Sequence, residues 1–169
     1  DTKESGLLEQ AAKAVKTSDD LTALIREMQG KLQREPDNIN YRRSLADYLT
    51  RAERFDDALN VLTEVQQTTG RADPQLDRSI STIRVQKLDH EIAKLQAAGD
   101  TAGAEAKNQE KSAFLLDDAT DRVTRYPNDL QFRYELGVLL FERGKLNEAI
   151  QEFQLSQRNP QRRIRSLYY

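Results

Sequence analysis

The sequence predicts an all-α fold. Apolar residues recur three and four apart along the whole chain, the spacing of one helix face. No stretch alternates apolar and polar residues as a half-buried strand does. Breakers are scarce, with 7 Gly and 4 Pro in 169 residues, so long uninterrupted helices are allowed.

Leu7, Leu8, Ala11, Ala12 and Val15 form a first short stripe. Thr17 to Asp20 is a polar break, and a Ser18 or Asp19 side chain there can accept from the free N–H groups of a following helix. Leu21, Leu24, Ile25, Met28 and Leu32 make a second stripe that stops before Pro36, so 1–35 reads as a helix pair. Leu45, Ala46, Tyr48, Leu49 and Ala52 follow, then a break at Glu53-Arg54, then Ala58, Leu59, Leu62 and Val65. Gly70 can close that hairpin, 36–70. Asp73-Pro74 restarts the pattern as cap and first helical residue. Leu76, Ile80, Ile83, Leu88, Ile92 and Leu95 then share a face up to Gly99. "GDTAG", 99–103, reads as a turn, and 104–125 returns with Ala106, Ala113, Leu116, Ala119 and Val123 until Tyr126-Pro127. Residues 127–160 again read as two helices, split near Gly144. Short connections favour antiparallel neighbours.

Composition narrows the function. Hydrophobic residues make up 37% and charged residues 32%, and no run approaches the roughly 20 apolar residues of a membrane span. Net charge is −2, from 26 basic and 28 acidic residues, so no global field draws the chain to nucleic acid or anionic lipid. The absence of Cys removes disulfides, thiolate metal sites and Cys nucleophiles. It suits a reducing, cytoplasmic setting. The chain opens on Asp1 rather than Met, and the expectation is an excised segment whose parent can be membrane-anchored or periplasmic.

Self-comparison finds a repeat at a fixed offset of 91, with Pro36 on Pro127, Leu45 on Leu136 and Ala46 on Gly137. Leu49 falls on Leu140, Ala58 on Ala149 and Leu62 on Phe153. A small residue at 46 or 137 lets the two helices of a hairpin approach, and a second at 58 or 149 sits where they cross. A lone hairpin cannot bury its own apolar face, so hairpins must stack.

On these residues the chain resembles the tetratricopeptide repeat (TPR) family, and bacterial members in particular. Leu136-Gly137, Leu140, Gly144, Ala149, Phe153 and Pro160 match its pattern, with Pro160 one residue early. Residues 45–65 match more loosely, with Ala46 for Gly and Leu62 for the aromatic. Arg42 and Arg133 stand where the family has Trp. The resemblance implies a TPR-like right-handed superhelix of antiparallel hairpins. The family's period is about 34 residues, and 91 is not a multiple of it. The expectation is a middle hairpin, 73–126, lengthened by roughly ten residues per helix. It would project as an arm, with Ala106 to Lys111 clear of the stack. Residues 161–169 look like the start of a further, truncated repeat within a single repeat domain.

The resemblance also implies a protein or peptide partner held in a groove lined by first helices. The matching positions are Asn40, Arg43, Asp47, Thr50 and Arg51 in one hairpin and Gln131, Tyr134, Val138, Phe141 and Glu142 in the other. Tyr134, Val138 and Phe141 read equally as an interface anchor or as residues covered by another segment of the chain. Asp47 and Val138 replace the Asn of chaperone-type carboxylate clamps.

Catalysis has little to rest on, and neither metal nor cofactor is expected. His90 is the only His and lies between Asp89 and Glu91, which reads as a rim or solvated position. The pairs Asp56-Asp57 and Asp117-Asp118 are expected on helix surfaces and caps. Gly99 and Gly103 lack the Lys-Ser/Thr of a phosphate loop. Arg158, Arg162, Arg163 and Arg165, followed by Tyr168 and Tyr169, make the best case for nucleic acid, yet one local cluster in a net-acidic chain is a weak footprint. The function expected is a non-enzymatic scaffold or adaptor. The alternative is a self-association module of a bacterial envelope or secretion assembly.

Overall fold

The computed structural model describes residues 2–69 and 73–157, with side chains described for 17–67 and 73–157. The expected contacts of Leu7 to Val15, the closing Gly70, the arginine cluster, Pro160 and the 161–169 repeat start lie outside these. The described residues form seven helices. They are α1 (Thr2–Arg34), α2 (Ile39–Arg51), α3 (Phe55–Thr69), α4 (Pro74–Ala97), α5 (Thr101–Arg125), α6 (Leu130–Glu142) and α7 (Leu146–Ser156). Consecutive helices pack as antiparallel pairs within two compact units, α1–α3 and α4–α7.

In the first unit α1 corrects the sequence reading. It is one helix of 33 residues, with no break at Thr17 to Asp20. That stretch has cap chemistry but neither Gly nor Pro, so nothing forces a stop. The four side chains stay exposed on a continuous helix, and the Thr22 hydroxyl donates to the Ser18 carbonyl at 3.0 Å. Among the described side chains of this unit, Ile25 and Met28 of α1, Leu45, Ala46 and Leu49 of α2, and Ala58, Leu62 and Val65 of α3 are the buried apolar ones.

In the second unit α4 and α5 run for 24 and 25 residues, against 13 for α6 and 11 for α7. The lengthening predicted for the middle hairpin is therefore present in both of its helices. The turn between them is tighter than "GDTAG" implies. Asp100 caps α5 by accepting from the Gly103 N–H at 2.8 Å, and the helix is under way from Thr101.

The inward face of α5 also differs from the expected stripe. Ala106 and Ala113 are exposed, while Ala104, Ala119 and Arg122 are buried. The stripe turned to α4 carries charged residues. Lys111 pairs with Asp89, and Lys107 reaches Glu91 at 2.9 Å. Long amphipathic side chains cover apolar neighbours with their stems and keep their charges paired, which hides such a face from a hydrophobic pattern.

Arg143, just past α6, donates to the carbonyl and, at 2.9 Å, to the hydroxyl of Ser112. This contact ties the end of α6 to the middle of α5.

Candidate protein-interaction surface

Both short hairpins begin with the same device. Asn38 caps α2 by accepting from the N–H groups of Asn40 and Tyr41 at 3.1 and 3.2 Å. Asp129 caps α6 by accepting from Gln131 and Phe132 at 2.9 and 3.1 Å. Each such cap contributes about 1 kcal/mol. Four residues on, Arg42 and Arg133 fold back. Arg42 Nε donates to the Pro36 carbonyl at 3.0 Å, and its Nη1 meets Glu64 at 2.9 Å. Arg133 Nε donates to the Pro127 carbonyl at 2.8 Å, and its Nη1 meets Glu152 at 3.1 Å. A guanidinium thus ties the entry of the first helix to the second helix, a task that needs a planar, multi-donor group.

The predicted contact residues fall into two sets, one in each unit. On α2, Asn40, Asp47 and Arg51 are exposed, and Arg43 and Thr50 are half-buried. Asp47 and Arg51 pair with each other at 2.9 Å, so this face presents an ion pair rather than isolated charges.

On α6, Glu142 is exposed and Gln131 is half-buried, its amide donating to Glu135. Tyr134 is buried, 8% exposed, with its ring 5.8 Å from Phe153. It belongs to the cluster of Ala119, Leu136, Leu140, Ala149 and Phe153, against which Val138 and Phe141 pack half-buried. Of the three residues read as either anchor or covered, the ring of Tyr134 is enclosed by this chain, while Val138 and Phe141 keep part of their surface.

Sequence reasoning missed a polar seam where α4, α5 and α6 meet. Phe132, 2% exposed, lies between the guanidiniums of Arg78 and Arg122, at 5.0 and 4.9 Å from its ring centroid. Both arginines reach Glu135 at 3.2 Å. Arg122 also pairs with Asp118 at 3.0 Å, and Asp118 accepts from Ser81 at 2.7 Å. Asp118 is therefore a member of the seam rather than a solvated carboxylate.

Asp77, 5% exposed, accepts from Arg125 and from the Tyr126 hydroxyl. Burial, helped by the hydrogen bond to Asp77 and by its charge, pushes the Tyr126 hydroxyl up to about 12. The one available signal for this seam was Phe132, which lies 91 residues after Tyr41 at the same place past its proline. Tyr41 likewise carries a cation, Lys31, 5.7 Å from its ring centroid.

Among the described residues no group of three His, Cys, Asp or Glu side chains is placed to hold a metal, and His90 is half-buried on α4. No described helix is long and apolar enough to cross a membrane.

The class defined by this geometry is an all-α array of antiparallel helix hairpins, in two units. No protein-family model matches the chain. No curated protein matches it in sequence. Among solved structures, one titled as the crystal structure of MamA protein is similar over 90% of this chain and 90% of its own. That similarity has 14% identity and a TM-score of 0.39.

Proposed function

We propose that the chain is a non-enzymatic scaffold or adaptor that holds a protein or peptide through the faces of its first helices or through its long hairpin. The observation that carries this reading is the surface of α6, where Val138 and Phe141 stay half-exposed on a buried aromatic cluster beside Gln131 and Glu142. Apolar area on a rigid support with a polar rim suits an interface anchor. On α2 the corresponding face offers Asn40, Arg43, Asp47 and Arg51, which by itself suits a polar or charged stretch of a partner. The long hairpin adds a further surface that carries the ion pairs of Lys107 with Glu91 and Lys111 with Asp89.

Capture with the whole protein, followed by titration of each purified candidate partner, tests this. Val138→Gln combined with Glu142→Lys should weaken a true partner at least about tenfold, the equivalent of 1.4 kcal/mol. The helical circular dichroism signal should be unchanged. Wild-type affinity in that variant, and in Asn40→Ala with Arg51→Ala, excludes the first-helix faces and leaves the hairpin arm.

A further inference from the structure

Ser112 stands apart from most hydroxyls of its unit. Those of Ser79, Thr82, Thr120 and Thr124 donate to the carbonyl four residues back, and that of Ser81 donates to Asp118. The Ser112 hydroxyl instead accepts from Nη2 of Arg143 at 2.9 Å, and its own carbonyl accepts from the same nitrogen. Nη1 of Arg143 donates to the Leu139 carbonyl at 3.1 Å. Among the described residues Arg143 thus meets neutral oxygens, whereas Arg122, Arg125 and Arg133 of the same unit each pair with a carboxylate. A guanidinium held by neutral acceptors keeps its charge uncompensated, and it is already oriented for an anion that arrives beside it.

The surroundings of Ser112 suit an added negative group. The residue is exposed in the middle of α5. Its helical neighbours three and four residues away are Asn108, Gln109, Leu115 and Leu116, with no acid among them. Between Ala104 and Ala119 no residue of α5 is buried. Segments with few buried contacts open locally at low cost, which lets an enzyme that reads an extended chain reach a residue within a helix.

We propose that Ser112 is a phosphorylation site whose phosphate is held by Arg143, locking the end of α6 to α5. In the transfer, the Ser112 Oγ bonds the γ-phosphorus of a nucleoside triphosphate as the bond to the β-phosphate oxygen breaks. The nucleoside diphosphate leaves, and the hydroxyl proton passes to the base of a separate protein kinase. The new group carries about −1.5 to −2 charge and three acceptor oxygens. In mid-helix it lies too far from the N-terminus of α5 for the helix dipole to stabilise it. Arg143 decides the outcome, because charge-assisted bonds then replace a neutral one between residues 31 apart in the chain. The proposal does not rest on the partner-binding reading, since it uses no residue of that surface.

Mass spectrometry of the whole protein, isolated from the cells that make it, should localise phosphate to Ser112. Absence of phosphate at Ser112 overturns the proposal. Amide exchange tests the role of Arg143, with phosphoserine incorporated at 112 during recombinant synthesis and each variant compared with its own unmodified form. Residues 109–119 and 139–145 should exchange on the order of tenfold more slowly once phosphorylated, the effect of one added charge-assisted hydrogen bond. In Arg143→Ala the phosphate should instead speed exchange over 109–119. Arg143→Lys should keep part of the slowing, since Lys supplies the charge without the planar fork. Slowing that survives Arg143→Ala, or no slowing in the unsubstituted chain, overturns the proposal.

Discussion

The size match between residues 137 and 153 shows how finely the two hairpins are tuned. A Cβ added to Gly137 would stand 2.7 Å from the Phe153 ring. At the equivalent positions Ala46 and Leu62 are both buried, so the larger small residue accompanies the smaller large one. Gly137→Ala should therefore cost about 1–2 kcal/mol, overpacking outweighing the gain in helix propensity. Adding Phe153→Leu should recover much of that loss, seen as a coupling above about 0.5 kcal/mol in a double-mutant cycle by urea unfolding.

Glu53 gives the opposite case. Its φ of 59° equals in kind the 72° of Gly144, its repeat mate, but without glycine's freedom. Glu53→Gly should raise stability by about 0.5–1 kcal/mol, the relief of left-handed strain exceeding glycine's added unfolded-state entropy. A higher thermal midpoint checks this.

Tyr126 supplies a pH test. Its hydroxyl is raised to about 12 in the folded chain, against about 10 unfolded. The folded state thus holds the proton more tightly. Its contribution is complete below pH 10 and is lost as pH rises from about 10 to 12. Tyr126→Phe should flatten that part of the stability profile relative to wild type, measured by urea unfolding at stepped pH.

Among the elements, the long hairpin is held unevenly. Toward Gly99 its buried apolar residues are Leu88, Ile92 and Ala104, flanked by ion pairs of Lys107 and Lys111. At the other end it is locked by Asp77, Asp118, Arg122 and Phe132. Opening free energies follow buried contact density, so amides near the turn should exchange faster than those of the seam. Ile92→Ala, with an expected cost of about 2–4 kcal/mol, should speed exchange over 88–108 and leave 132–140 protected. Equal acceleration in both segments would contradict an independently opening arm end.

This hairpin also shows where sequence reading stops. The Asp73-Pro74 start and the apolar face of α4 were legible because cap chemistry and aliphatic spacing act locally. The inward face of α5 was not, because paired charges occupy it. The false break in α1 has the reverse cause, since Ser and Asp carry cap chemistry in the sequence whether they start a helix or lie exposed within one.

For the whole molecule, mixed charge is the dominant surface property. With 26 basic and 28 acidic residues, phosphate neutralisation has no net positive charge to draw on. A labelled duplex should show no saturable binding at about 0.15 M salt in fluorescence anisotropy.

By itself the sequence determined the all-α class, the repeat at 91, the overlong hairpin and the small residues where helices cross. These follow from periodicity, Pro, Gly and caps, which act over a few residues. Only the tertiary structure decided that Tyr134 is enclosed by Phe153, that Asp77 and Asp118 are structural acids, and that Leu146 and Ile150 lie open. Burial of a side chain depends on what another helix brings against it, and that partner can stand 48 residues away, as Arg125 does from Asp77.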